Sequence, residues 1–187
     1  MSQSYSKSSK ILHWAMALML LSMLALGFSM VENLAIWHIQ AIWLHKSFGL
    51  LALVIVVIRI VNRWFTVTPP LPSDVDRMQA FAAKATQVGL YGAMLLMPVS
   101  GYLMQSADNR VITFFGLFPL PSVIAPSIER YALFREMHAI VALVFLVLIT
   151  VHICGALYHG IVRRDKVLSS MTFSTKRAQQ NKRESKQ

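Results

Sequence analysis

The sequence predicts an all-α membrane protein: a four-transmembrane-helix bundle with both termini cytoplasmic. Three observations lead there. Of 187 residues, 56% are hydrophobic and only 14% are charged, where a soluble domain carries roughly 25% charge. Four apolar runs are each long enough to cross a hydrocarbon core of about 30 Å. The basic residues divide unevenly between the segments that flank those runs. With the N-terminus inside, the inner segments hold fourteen Lys and Arg: Lys7, Lys10, Arg59, Arg63, Arg77, Lys84 and eight after span four. The outer segments hold four: Lys46, Arg110, Arg130 and Arg135. Cytoplasmic loops of membrane proteins carry such an excess.

The elements follow in order. Span one covers about 11–30. Its length and the ionisable His13 within it argue against a cleaved signal peptide. Residues 31–44 form a connection in which His38 reads as a plain loop histidine. Span two opens at His45 and runs to about 64, with Arg59 and Arg63 near its far end, where they can snorkel to the interface. Pro69, Pro70 and Pro72 stop the chain from continuing as helix. Met78, Phe81 and Ala82 then predict a short surface helix. Span three covers about 85–105, with Pro98 to kink it and Gly101 to allow close packing. The longest connection, 106–137, is apolar for a loop, with Phe114, Phe115 and Phe118, and is expected to fold over one end of the bundle. Span four covers 138–161. Residues 1–165 therefore form one bundle, and 166–187 a basic tail expected to be mostly disordered. Trp14 and Trp64 fall at the inner interface, and Trp37 and Trp43 at the outer one.

The net charge of +10 lies beside the apolar runs and in the tail. That pattern fits membrane orientation and anionic lipid, and argues against nucleic acid as a partner. Cys154 is the sole cysteine, so no intramolecular disulfide forms. It is expected to be a small buried packing residue, because nothing near it would lower its pKa.

Four histidines stand at matching depths. His138 and His152 lie fourteen residues apart on span four. Fourteen helical residues turn about 1400°, close to four full turns, so both rings leave nearly one face, about 21 Å apart along the axis. Under the topology above, His13 and His152 share the cytoplasmic side, and His45 and His138 the outer side. Each pair joins two different helices, and span four serves both. Imidazole is a common ligand of metals and of haem iron. Two six-coordinate haems, one per pair, fit this arrangement, and filled axial positions favour electron transfer over oxygen binding. A proton relay or divalent-metal path is the rival use of intramembrane histidines. It calls for acids within the spans, whereas the eight acids here lie in connections, helix ends or the tail.

At these residues the chain resembles the bacterial cytochrome b561 family. The matching features are His13-Trp14, His45 with Gly49, Arg59, Pro98 with Gly101, and His138 with His152. The resemblance covers nearly the whole chain to about residue 165. It implies a multi-pass protein of the bacterial inner membrane that holds two haem b groups and exchanges electrons with ubiquinone. It also implies oxidation of periplasmic superoxide, with the electrons passed inward. The alternative is a cytochrome subunit that links a partner dehydrogenase or other redox subunit to the quinone pool and is not catalytic alone. The family places a histidine near its quinone at the position of His159, whose ring could hydrogen-bond a carbonyl; an interfacial role is the other reading. Lys46, Arg130 and Arg135 surround the outer entrance, where they could steer superoxide or pair with haem propionates or local acids. Arg59 is a candidate for an inner propionate or for ordinary snorkelling.

Overall fold

A computed structural model describes residues 4–32, 37–70, 72 and 74–173 of the chain. Four long helices carry the architecture: α1 (Lys7–Glu32), α2 (His38–Phe65), α3 (Arg77–Ala107) and α4 (Ile128–Leu157). A hairpin of β1 (Ile112–Phe114) and β2 (Phe118–Leu120) separates α3 from α4. One π-helical turn, Tyr158–Val162, and the short α5 (Val167–Met171) follow α4.

Three of these helices are long and apolar enough to cross a membrane: α1, α2 and the continuous helix Ile128–Val162. The helix α3 is comparable in length at 31 residues, but Gln87, Tyr91, Ser100, Tyr102 and Gln105 make it more polar. Only 6% of the most apolar window of α4 is buried within the chain. Its remaining faces present Leu143, Val147, Val151 and similar side chains outward, as lipid-facing helices do. Cys154 belongs to that outward surface and is exposed, contrary to the packing role expected of it.

The inner contact surface is narrow. Met16 and Leu24 of α1, Val56 of α2, Ala93 and Met94 of α3, and Phe145 of α4 form one cluster. Val56 is fully buried and Phe145 is 2% exposed. Phe145 stands seven residues from His138 and seven from His152, so all three share one face of α4. The apolar cluster therefore separates two polar levels of the bundle.

All four long helices begin earlier than the apolar runs indicate, α1 at Lys7. Asp76 caps α3, its side chain accepting from the Met78 amide at 3.1 Å. The segment expected as a separate surface helix is thus the first turns of α3. Ser127 caps α4, and Glu129 in its first turn suits the positive end of the helix dipole. His138 therefore lies ten residues inside α4. The helix α2 starts at His38, placing that residue in a helix instead of a loop and His45 two turns inside.

The outer connection folds over the bundle end as expected. Phe115 (φ 48°) and Gly116 (φ 76°) make the tight turn between β1 and β2, the conformation that hairpins favour. Ser47 of α2, fully buried, accepts from the Phe115 amide at 3.2 Å. Phe115 also packs edge-on against Phe48 and Trp43.

The opposite end is tied by the residues after α4. The Trp14 indole donates to the Met171 carbonyl at 3.0 Å. Lys10, 8% exposed, donates to Ser4 and to the Thr172 carbonyl. Residues 166–173, the start of the expected tail, thus pack on α1, while 174–187 lie outside the described residues. After the π-turn the chain reverses through Arg164 (φ 51°). His159 Nδ1 then meets the Asp165 carboxylate at 2.5 Å, and Arg163 bridges Asp165 and Asp74.

Burial pushes the Asp165 carboxyl up, but the His159 hydrogen bond, the Val167 amide and the His159 and Arg163 charges outweigh it and hold its pKa below 3.8. A carboxylate depressed in the folded state stabilises the fold fully above its unfolded value, and loses that contribution as pH falls through the folded one. The 158–167 turn should therefore be unchanged from neutral pH down to about 4 and loosen only in stronger acid. Asp165→Asn should loosen it already at neutral pH. Amide hydrogen exchange of the turn checks this. The variant is expected to exchange on the order of ten-fold faster or more, the effect of losing a hydrogen bond to a charged group.

Candidate functional site

The structure brings the four predicted histidines together in the pairs their spacing indicates. His13 of α1 and His152 of α4 face each other with ring centroids 6.1 Å apart and planes at 66°. His45 of α2 and His138 of α4 do the same at 6.3 Å and 72°. The helical period of α4 accounts for one ring of each pair. The antiparallel courses of α1 and α2 supply the other two.

Each pair has the span of a metal site filled from opposite sides. Two metal–imidazole bonds of about 2 Å each, together with the depth of two rings, put the centroids roughly 6 Å apart. Rings bound this way both contain the ligand axis, so their planes are free to differ by a twist about it. Among the described residues no cluster of three or more His, Cys, Asp or Glu is placed to hold a bare metal ion. Two imidazoles instead match the axial positions of a macrocycle that brings its own equatorial nitrogens. The His45 Nδ1 atom is buried without a hydrogen-bond partner, a state that costs free energy in a closed chain. Small residues leave room at the rings. A Cβ on Gly27 would stand 3.4 Å from His45 Cε1, and one on Gly101 3.2 Å from His138 Cε1. The four residues therefore fit haem.

Arg59 turns inward and does not snorkel. Its Nη2 lies 3.0 Å from His13 Nδ1, and its Nε donates to the Tyr91 hydroxyl at 3.2 Å. Its Nη1 is buried without a partner. A guanidinium only donates, so His13 Nδ1 accepts here and its proton sits on Nε2. A metal bound through Nε2 would move that proton to Nδ1, and Arg59 would then need another acceptor. Arg59, Arg63, Tyr91, Gln87, Asn62 and Tyr5 line a pocket beside this pair, where carboxylates would find such donors. Tyr91, Gln87 and Tyr5 escaped the sequence reading because no spacing marks them.

His159 does not join either pair. Its Nδ1 is engaged by Asp165, which leaves Nε2 for another partner. At the outer end Lys46 lies in the field of Arg110 and Asp108, themselves joined at 2.5 Å. Arg130 and Arg135 are exposed on the first turns of α4 and form no ion pair among the described residues. The structure thus spreads the outer cations over α2, the hairpin connection and α4, without joining them in one cluster.

Comparison with known proteins gives the family. The family described as prokaryotic cytochrome b561 matches residues 4–174. The chain is 33% identical over 174 residues to cytochrome b561 homolog 2 of Escherichia coli K12, covering 90% of this chain and 91% of that protein. It is 24% identical over 127 residues to cytochrome b561 homolog 1 of the same organism, covering 68% and 72% of the two chains. A match across nearly every described element, on a helical scaffold with paired histidines, makes this chain a member of the prokaryotic cytochrome b561 family, membrane cytochromes of electron transfer.

Proposed function

We propose that the chain moves electrons across the bacterial inner membrane between an outer donor and ubiquinone, with two haem b groups held by His45/His138 and His13/His152. The observation that carries this reading is the pair of facing imidazole couples at 6.1 and 6.3 Å, both sharing α4. A b-type haem held by such a histidine pair would supply a one-electron iron couple. In this reading α3 is the fourth span, and both termini are cytoplasmic. The chain's own residues then have separable roles. The four histidines fix position and spacing. The apolar layer of Val56, Met94 and Phe145 excludes water between the two levels. Arg59 supplies a buried positive charge on the inner side, suited to a propionate.

The substrates follow from the two ends. Superoxide is the proposed donor, drawn to the outer face by Lys46, Arg130 and Arg135. Ubiquinone is the proposed acceptor, with His159 Nε2 turned to a quinone carbonyl and Asp165 holding the opposite ring nitrogen. The overall reaction balances as two superoxide ions, one quinone and two protons giving two dioxygen molecules and one quinol. In this reading His159 hands a proton to the quinone oxygen.

Two experiments test this. Purified protein in detergent, given superoxide and a soluble ubiquinone analogue, should form quinol with no other protein present. A preparation that stays inert until a peripheral subunit is added would instead support a cytochrome subunit of a larger complex. For the sites, His152→Ala is expected to lose the inner haem and keep most of the outer, and His138→Ala to do the reverse. The haem content of each variant, measured as the pyridine haemochrome, should fall to about half of the wild-type value. Equal loss of both groups from a folded variant would overturn the pairing. Because haem itself stabilises such a bundle, circular dichroism accompanies each measurement.

A further inference from the structure

Ser100 lies on α3 two residues after Pro98 and is 3% exposed. Its hydroxyl meets two groups. One is the Met97 carbonyl at 3.0 Å; the other is His138 Nδ1, also at 3.0 Å. A hydroxyl has one proton to give. The Met97 carbonyl can only accept, so the Ser100 proton goes there. The contact with His138 is then made by a lone pair of Ser100 Oγ, and His138 Nδ1 must carry hydrogen. His138 Nε2 is left with its lone pair free, the form of imidazole that binds a metal.

We propose that Ser100 is a positioning residue of the outer site: it fixes His138 as the Nδ1–H tautomer, holds the ring in place and makes Nε2 a stronger electron donor. The proposal rests on the two-haem reading above and extends it. A ligating histidine typically gives its second N–H to an acceptor, which orients the ring and raises its basicity. Here the acceptor is neutral and tied to the Met97 carbonyl of its own helix, a carbonyl that also accepts a hydrogen bond from His138. Gly101, the next residue, approaches the same ring closely, so α3 both presses on His138 and hydrogen-bonds it.

The inner site is built with the opposite polarity. There the neighbour of His13 is a cation, the Arg59 guanidinium, which stays beside the pair when a ligated His13 carries its hydrogen on Nδ1 and Arg59 turns to another acceptor. A cation near iron favours the reduced state, and an electron-rich imidazole favours the oxidised one. The Ser100 contact and the nearby Arg59 charge therefore bias the outer haem to the lower potential and the inner haem to the higher. That order makes inward transfer the downhill direction.

The test uses the full-length holoprotein in detergent, three Ser100 variants and His45→Ala. Ser100→Ala should raise the midpoint potential of one haem and shift the low-spin ferric signal of that haem alone. That haem should be the one missing from His45→Ala. It should also be retained more weakly, by on the order of 10–100-fold. Ser100→Thr, which keeps the hydroxyl, should restore both properties. Ser100→Cys keeps the volume and weakens the acceptor. It should give a smaller shift in the same direction, and it carries the test if the alanine variant does not assemble. Unchanged potentials and signals in the alanine and cysteine variants would overturn the assignment. So would equal movement of both haems, or a threonine variant that behaves like alanine. A wild-type protein that holds fewer than two haems would count against the two-haem reading, a separate result from the behaviour of Ser100.

Discussion

Facing imidazoles inside an apolar bundle are the constraint on which the rest of this chain depends. Each ring carries polar nitrogens that hydrocarbon cannot satisfy. The chain answers some of these nitrogens itself: Ser100 for His138, Arg59 for His13. It leaves His45 Nδ1 buried with no partner. Placing rings about 6 Å apart on separate helices is a poor way to pack a bundle and a good way to grip something between them. The helical period of α4 then forces the remainder. Once His138 and His152 share a face, the residue midway between them must fill the gap, and Phe145 does so.

The two ends of the bundle are finished differently. The outer end is closed by a hairpin whose tight turn lands on α2 and whose aromatic rings cover it. The inner end is closed by the chain that follows α4, drawn back across α1 by Lys10 and Trp14. His159 sits where that chain reverses, fixed through Asp165. The inner pocket, rich in arginine and tyrosine, is bounded on one side by Met171 of the same returning chain. Polar machinery on the inner side is therefore denser than on the outer side, where Lys46 lies near the Arg110–Asp108 pair and Arg130 and Arg135 are exposed on α4.

Much of this was legible in the sequence because it depends on period and charge. The spacing of fourteen between His138 and His152 set one face of α4. The distribution of Lys and Arg set which histidines share a depth, and the rings do meet as those depths required. What stayed hidden depends on contacts that periodicity does not encode. Helix starts were misplaced because Asp76 and Ser127 cap helices ahead of the apolar runs. Cys154 reads as buried in an apolar segment, yet an apolar helix against lipid turns most of its surface outward. Arg59 near a span end reads as a snorkelling residue, and only its contacts with Tyr91 and His13 reveal the inward turn. Ser100 is a common residue in a common place, and nothing marks it until His138 is beside it. The His159–Asp165 contact needs a π-turn and a residue with positive φ, neither of which has a sequence signal here.

The central claim is that each facing couple clamps one iron porphyrin. Low-temperature electron paramagnetic resonance of the oxidised wild-type protein, with iron quantified per chain, measures this most directly. The account predicts two distinct low-spin ferric signals, both of bis-imidazole type, at two irons per chain. A colourless protein, a single iron, or a signal from high-spin iron with an open axial position would contradict it.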